Sequence, residues 1–187
     1  MATQAVEDLK ADGPLAEYAT LRQEISSRSS KQSNLLTGQL AAAGAIFSFA
    51  LSASGRMGLL LVVPITSYIL CTMWVLEYDG IHRAVSYITT VLALRIPGGL
   101  GWDQWRSKHH PKRSPLVLLF PLMIVFPGVA LLAEIWTTGF VFAEHHTGAA
   151  HVGFIALWAV GLLSALITTY LIFELPRRYS SWWAWRH

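Results

Sequence analysis

The segment EYDGIHRAVSYITTVLALRIPGGLGWDQWRSKHHPKRS, from Glu77 to Ser114, separates two pairs of strongly apolar runs. One pair lies in residues 35–76 and the other in residues 115–175. The chain of 187 residues is 53% hydrophobic and 13% charged, whereas soluble proteins carry roughly 25% charged residues. This pattern predicts an all-α, polytopic membrane helical bundle with four transmembrane helices, in which residues 77–114 join two hairpins.

The four apolar runs are each about long enough to cross a hydrocarbon core of roughly 30 Å. The predicted spans are Leu35 to Ala53, Gly58 to Leu76, Pro115 to Trp136 and His151 to Leu175. Small residues recur at helical spacings in the first span, so we expect neighbouring helices to bury it. The third span carries three prolines and should be kinked or interrupted, and we expect Pro176 to end the fourth span.

Two amphipathic helices are predicted outside the spans. One is PLAEYATLRQEI, from Pro14 to Ile25 in the N-terminal segment 1–34, and we expect it to continue through the serine-rich stretch into the first span. The other has apolar residues from Ile81 to Leu92 on one face and should be stopped by Pro97 to Gly99. We predict that these helices pack together as a hairpin; the alternative is that the second helix lies on the membrane surface.

The distribution of charge predicts the orientation of the chain. Of the 14 lysines and arginines, 13 lie before Leu35, between Glu77 and Ser114 or after Leu175, and one, Arg56, lies in the first turn. Because cytoplasmic loops of membrane proteins are enriched in Lys and Arg, both termini and residues 77–114 should be cytoplasmic. The tryptophans beside the cations, there and in the tail 176–187, suit contact with membrane lipids better than binding of nucleic acid.

The outer loop contains residue types that bind metals. Glu144, His145, His146 and His151, together with Glu134, carry carboxylate and imidazole groups that suit zinc and similar ions. Adjacent histidines lack the spacing of a helical metal site, and a polar loop explains them equally well. We therefore assign no metal site, no cofactor and no catalytic residue from the sequence.

Acidic residues near the span ends form a second group of candidates: Glu77, Asp79, Glu134 and Glu174. An ionisable group inside a bilayer is costly and is a functional hypothesis by default, whereas one at the interface contacts headgroups or water. Of the four, Glu134 lies deepest. The chain has no P-loop, nucleophile elbow or CxxC pair, which argues against an ATPase or a classical hydrolase.

Three stretches carry a resemblance to a known family. EYATLRQEISSR (Glu17 to Arg28), VSYI (Val85 to Ile88) and LGWDQW (Leu100 to Trp105) resemble a family of small, uncharacterised bacterial integral membrane proteins that is common in actinobacteria. The resemblance covers roughly the first 105 residues. It implies a multi-pass protein of the bacterial inner (plasma) membrane with a cytoplasmic helix after the first hairpin, and it assigns no chemistry to any residue.

We expect a non-enzymatic protein that self-associates through its small-residue faces. Its cytoplasmic helices would act as a scaffold, sensor or docking module for a cytoplasmic protein partner. The alternative is a small oligomeric channel or transporter subunit, motivated by the third span and Glu134. A metal-dependent membrane enzyme at the outer loop is a third hypothesis.

Overall fold

The computed structural model describes residues 2–96, 101, 115–142 and 149–184. Across these residues the regular structure is entirely helical, as predicted. The α-helices are α1 (Ala2–Leu51), α2 (Val63–Thr90), α3 (Pro115–Met123), α4 (Val129–Val141) and α5 (Ala149–Ala184). A 3₁₀-helix, Ser54–Val62, precedes α2, a short one, Leu92–Leu94, follows it, and a π-helix, Ile124–Gly128, joins α3 to α4.

Four helical segments are long and apolar enough to cross a membrane, which confirms the predicted number of spans. They are Asp12–Leu51, Arg56–Leu94, Leu119–Val141 and His151–Leu175. The predicted interruption of the third span is also confirmed, because the π-helix that contains Pro127 lies within it. This span reaches Val141, five residues beyond the predicted end at Trp136.

The predicted continuity of the N-terminal helix with the first span is confirmed, because α1 is one helix of 50 residues. Its serine-rich stretch stays helical, and the Ser30 hydroxyl donates a 3.1 Å hydrogen bond to the Ser26 carbonyl one turn earlier. Such bonds give a serine hydroxyl a partner inside a helix, so the polar composition does not break α1.

The chain forms two compact units. The first, here called the hairpin unit, contains residues 1–33 and 76–113. Its core is Ile88, Leu92 and Ile96, packed against Tyr18, Leu21, Ile25 and Tyr87. This contact confirms the predicted packing of the two amphipathic helices, and it follows from their apolar spacing of three or four residues.

Polar contacts define the direction of the helices in the hairpin unit. The Tyr87 hydroxyl donates a 2.7 Å hydrogen bond to Glu17, and the Arg28 guanidinium donates a 2.9 Å hydrogen bond to Glu77. A residue later in α1 therefore meets a residue earlier in α2, so the helices are antiparallel.

The second unit, here called the membrane unit, contains residues 34–75 and 114–187. One of its core clusters brings together Ala50 of α1, Leu60 of the 3₁₀-helix, Val63 of α2 and Ala133 of α4. The small-residue face of α5 is also buried, with Ser164, Ala165 and Thr168 at most 8% exposed. Small side chains on α4 and α5 allow close backbone approach, which favours helix contact in a membrane.

The expectation that the first span is buried was wrong. Of its most apolar window, 17% is buried, against 44% for the second span. Gln39, Ala43 and Ala50 face inward, whereas the glycines Gly38 and Gly44 are exposed. The small residues alone did not reveal this, because they lie on both sides of the helix.

Two predicted helix ends were also wrong. Pro176 lies inside α5, which continues to Ala184. A proline removes one backbone hydrogen bond, and the residues that follow it can still complete their own. The helix α2 ends at Thr90, before Pro97, where the chain tightens into the 3₁₀-helix Leu92–Leu94. The second span begins in the 3₁₀-helix, and Pro64 lies in the first turn of α2 as expected.

Candidate functional site: a buried carboxyl group

Glu134 lies on the inward face of α4 and is 2% exposed. The other buried side chains of α4 are Ala130, Ala133, Thr137 and Val141, which share that face. Since α4 continues for seven residues beyond Glu134, the residue lies about 10 Å from the end of the helix at 1.5 Å per residue. Glu134 is therefore deeper in the helix than the sequence predicted.

The Glu134 carboxylate lies against a glycine. A Cβ atom at Gly161 of α5 would overlap Oε1 of Glu134, and it would stand 3.3 Å from Cγ of Pro64 in α2. Residues of three helices, Glu134 of α4, Gly161 of α5 and Pro64 of α2, thus meet at the end of the side chain. Nothing in the sequence places Gly161 opposite Glu134.

Neither carboxylate oxygen of Glu134 has a hydrogen-bond partner among the residues that the structure describes. The hydroxyls nearest in sequence donate elsewhere: Thr137 to the Ala133 carbonyl at 3.0 Å, and Thr138 to the Glu134 carbonyl at 2.7 Å. An ionised carboxylate without a partner costs several kcal/mol to bury even after the protein relaxes. Such a group persists at a cost to stability, which is typical of functional residues.

The buried residues of the π-helix lie on the same face of the third span as Glu134. Phe126 and Pro127 are buried, and Pro127 precedes Glu134 by seven residues, or about two helical turns. Pro127 has no N–H to donate to the carbonyl of Met123, four residues earlier, so the regular hydrogen-bond pattern is interrupted there. Single π-turns occur frequently at functional sites, which makes this interruption a second feature of the same face.

A buried amide in the membrane unit escaped the sequence analysis. Gln39 of α1 is 1% exposed, and its Nε2 donates a 2.5 Å hydrogen bond to the hydroxyl of Ser67 in α2. Its Oε1 has no hydrogen-bond partner within the described ranges of the chain. The sequence could have revealed this residue, because Gln39 is the one amide side chain in the otherwise small and apolar first span.

Most of the predicted outer-loop ligands, Glu144, His145 and His146, lie outside the described residues. His151 is described and starts the predicted fourth span, where its Nδ1 is buried and has no hydrogen-bond partner among the described residues. Over residues 2–96, 101, 115–142 and 149–184, no group of three or more His, Cys, Asp and Glu side chains is arranged to hold a metal ion. Glu134 therefore belongs to no such group in that part of the chain.

Glu77, another acidic candidate, has partners in the hairpin unit. Its Oε2 accepts the 2.9 Å hydrogen bond from Arg28, and Lys31 Nζ lies 4.0 Å from its Oε1. Arg28 also pairs with Glu24 at 2.8 Å. The Arg28 guanidinium lies against Gly80, in space that a side chain at that position would enter. This cluster joins two helices, which gives Glu77 a structural explanation.

Comparisons with models of protein families, with curated proteins and with solved structures found no match to this chain.

Proposed function

We propose that the protein is a subunit of a small oligomeric channel or transporter in which Glu134 binds a proton or a small cation within the bilayer. The observation that carries this proposal is the burial of Glu134 with no hydrogen-bond partner for either oxygen in the described part of the chain. A carboxyl group in that position gains most from a positively charged species, because the described residues supply no compensating donor. The π-helix on the same face adds support.

The oligomer is part of the proposal, since four spans per chain rarely enclose a pathway alone. The exposed face of the first span offers small residues for contact between copies, among them Gly38 and Gly44. We further propose a multi-pass protein of the bacterial inner membrane with both termini in the cytoplasm. The location of 13 of 14 lysines and arginines supports this orientation.

The second candidate is the scaffold, sensor or docking role expected from the sequence. The apolar faces of the two helices in the hairpin unit contact each other, so a cytoplasmic partner would bind a polar surface. One face of α1 offers an open groove for such a partner, lined by Thr20, Gln23, Glu24, Ser27, Arg28 and Lys31. We place this role second because these side chains are ordinary for a solvated helix face.

The test of the first proposal is ion flux in proteoliposomes. Purified protein is reconstituted with an internal pH-sensitive dye, and proton movement is driven by a potassium gradient with valinomycin; sodium and potassium fluxes are measured with ion-selective dyes. We expect the wild type to conduct at least one of these ions and Glu134→Gln to lose the flux. The matched control is Glu174→Gln, the same chemical change near the end of the fourth span, which should retain it.

Two results would overturn the proposal. One is a wild-type flux no faster than that of empty liposomes for all three ions. The other is a flux that Glu134→Gln and Glu174→Gln leave equally unchanged, because Glu134 would then have no part in the pathway.

A further inference from the structure

We infer that the species bound at Glu134 is the proton and not a metal ion or another small cation. This inference rests on the proposed function, since it names what the same site takes up. It depends on three features of the site: the ligands within reach, the space beside the carboxylate and the charges on the surrounding helices.

The first feature is the lack of a ligand cluster: among the described residues no group of three or more His, Cys, Asp and Glu side chains is arranged to hold a metal ion. In the same part of the chain no hydroxyl or amide donates a hydrogen bond to either oxygen of Glu134. The hydroxyls of Thr137 and Thr138 are turned to backbone carbonyls of α4. Calcium takes about six to eight oxygen ligands and magnesium demands octahedral geometry, whereas Glu134 offers two oxygens. A proton needs one carboxylate oxygen.

The second feature is the lack of space. The Gly161 backbone approaches Oε1 so closely that even a methyl group at Gly161 would overlap it, and the Pro64 ring lies beside the same point. A dehydrated metal ion placed between Oε1 and Gly161 would have to separate α4 from α5 to insert its own volume. Protonation adds no heavy atom: one carboxylate oxygen gains a hydrogen, and the negative charge disappears when the O–H bond forms.

The third feature is the charge on the packed elements. The structure describes six ionisable side chains in the 3₁₀-helix Ser54–Val62, in α2 up to residue 75 and in α5 up to residue 175. They are Arg56, Tyr68, Cys71, His151, Tyr170 and Glu174. None of them forms a hydrogen bond with Glu134. Arg56 is exposed and lies over the Phe49 ring at 4.3 Å. Because no described cation is hydrogen-bonded to Glu134, uptake and release of a proton is the means by which the described site changes its charge.

The test is a titration of the Glu134 carboxyl group by infrared spectroscopy in lipid nanodiscs. The carbonyl stretch of a protonated carboxylic acid is resolved from carboxylate bands, and the signal that disappears in Glu134→Gln belongs to this residue. The pH at half-protonation is measured in choline chloride and again in rising concentrations of sodium, potassium, magnesium and calcium chloride, at constant ionic strength.

We expect a Glu134 signal that titrates and whose midpoint is the same in all five salts. A cation that competes with the proton would lower the midpoint by about one pH unit for each tenfold increase in its concentration above its dissociation constant. Such a shift with any of the four metal ions would overturn the inference. So would a Glu134 group that stays a carboxylate from pH 4 to pH 10, a range of about six pH units chosen to bracket ordinary carboxyl titration.

This experiment separates the inference from the proposed function. A salt-independent titration in a protein that supports no flux would leave the proton site standing and remove the channel or transporter role. A flux of sodium or potassium that depends on Glu134, together with a salt-dependent midpoint, would retain transport and remove the proton as the bound species.

Discussion

Gly161 of α5 has no side chain, and the carboxylate of Glu134 in α4 occupies the space that a side chain there would fill. The two residues are 27 positions apart in the sequence. Their relationship places the carboxyl group against two neighbouring helices instead of in lipid. The predictions for the membrane unit follow from this contact.

Gly161→Ala should destabilise the membrane unit by about 1 to 3 kcal/mol, the usual cost of overpacking a filled interior. The measurement is reversible unfolding in mixed detergent micelles. The matched control is Gly153→Ala on the same helix, where a Cβ atom meets nothing within 4 Å. That variant should be neutral or gain up to about 1 kcal/mol, because alanine is the better helix former. Equal effects at both glycines would contradict the contact.

Glu134→Met should stabilise the protein while it abolishes the flux. Methionine has a similar length and removes two buried acceptors without partners, each unsatisfied group costing about 1 to 3 kcal/mol. Unfolding free energy and proteoliposome flux are measured on the same preparation. Glu174→Met serves as the control, with no gain in stability expected. A Glu134→Met protein that is less stable than the wild type would mean that the carboxylate has a partner.

The Arg28 and Glu77 ion pair should contribute about 0.5 kcal/mol to the hairpin unit, because both side chains are partly exposed. A double-mutant cycle with Arg28→Met and Glu77→Gln, read from hydrogen exchange of the hairpin amides, measures the coupling energy. It should fall as salt is raised. A second cycle with Lys31→Met, whose Nζ lies 4.0 Å from Glu77, should give a coupling near zero. Comparable coupling in both cycles would count against this geometry.

Ile88→Ala should destabilise the hairpin unit by about 2 to 5 kcal/mol, as is usual when a large core side chain is truncated. Ile88 is 2% exposed in the core of this unit, whereas Leu94, on the same part of the chain, is 85% exposed. Leu94→Ala is therefore the control and should have little effect. Hydrogen exchange of amides in both helices provides the measurement, and equal loss of protection in the two variants would be inconsistent with the packing.

The orientation of the chain in the membrane can be tested by thiol labelling, because the native cysteine is buried. Cys71 is fully buried and should not react with a maleimide in the folded protein. A single cysteine introduced at exposed Arg56 should then react with a membrane-impermeant maleimide in intact cells. A cysteine at exposed Ser29 should react only after the cells are permeabilised. The opposite pattern would reverse the proposed orientation.

The sequence predicted the third span more accurately than the first. Three prolines in the third span were enough to predict its interruption, because proline acts on its own helix. Burial of the first span was predicted wrongly, because small residues permit contact without specifying which side receives it. The inward side is marked by Gln39, whose partner Ser67 lies 28 residues away.

The sequence likewise predicted one part of the candidate site and missed another. The sequence singled out Glu134, because a carboxyl group in an apolar run stands out in one dimension. It did not reveal the enclosure by Gly161 and Pro64 or the lack of a hydrogen-bond partner, since these depend on residues from three helices.

The sequence by itself determined the helical class, the four apolar segments and the interruption of the third. It also predicted the pairing of the two amphipathic helices, with a position of the second helix on the membrane surface left as the alternative. These properties depend on the order of apolar and polar residues along one or two helices. Only the tertiary structure decided where α2 and α5 end, which side of α1 is exposed and what surrounds Glu134. Close packing causes this difference, because whether a small residue faces lipid or makes room for a carboxylate depends on the helix that lies opposite it.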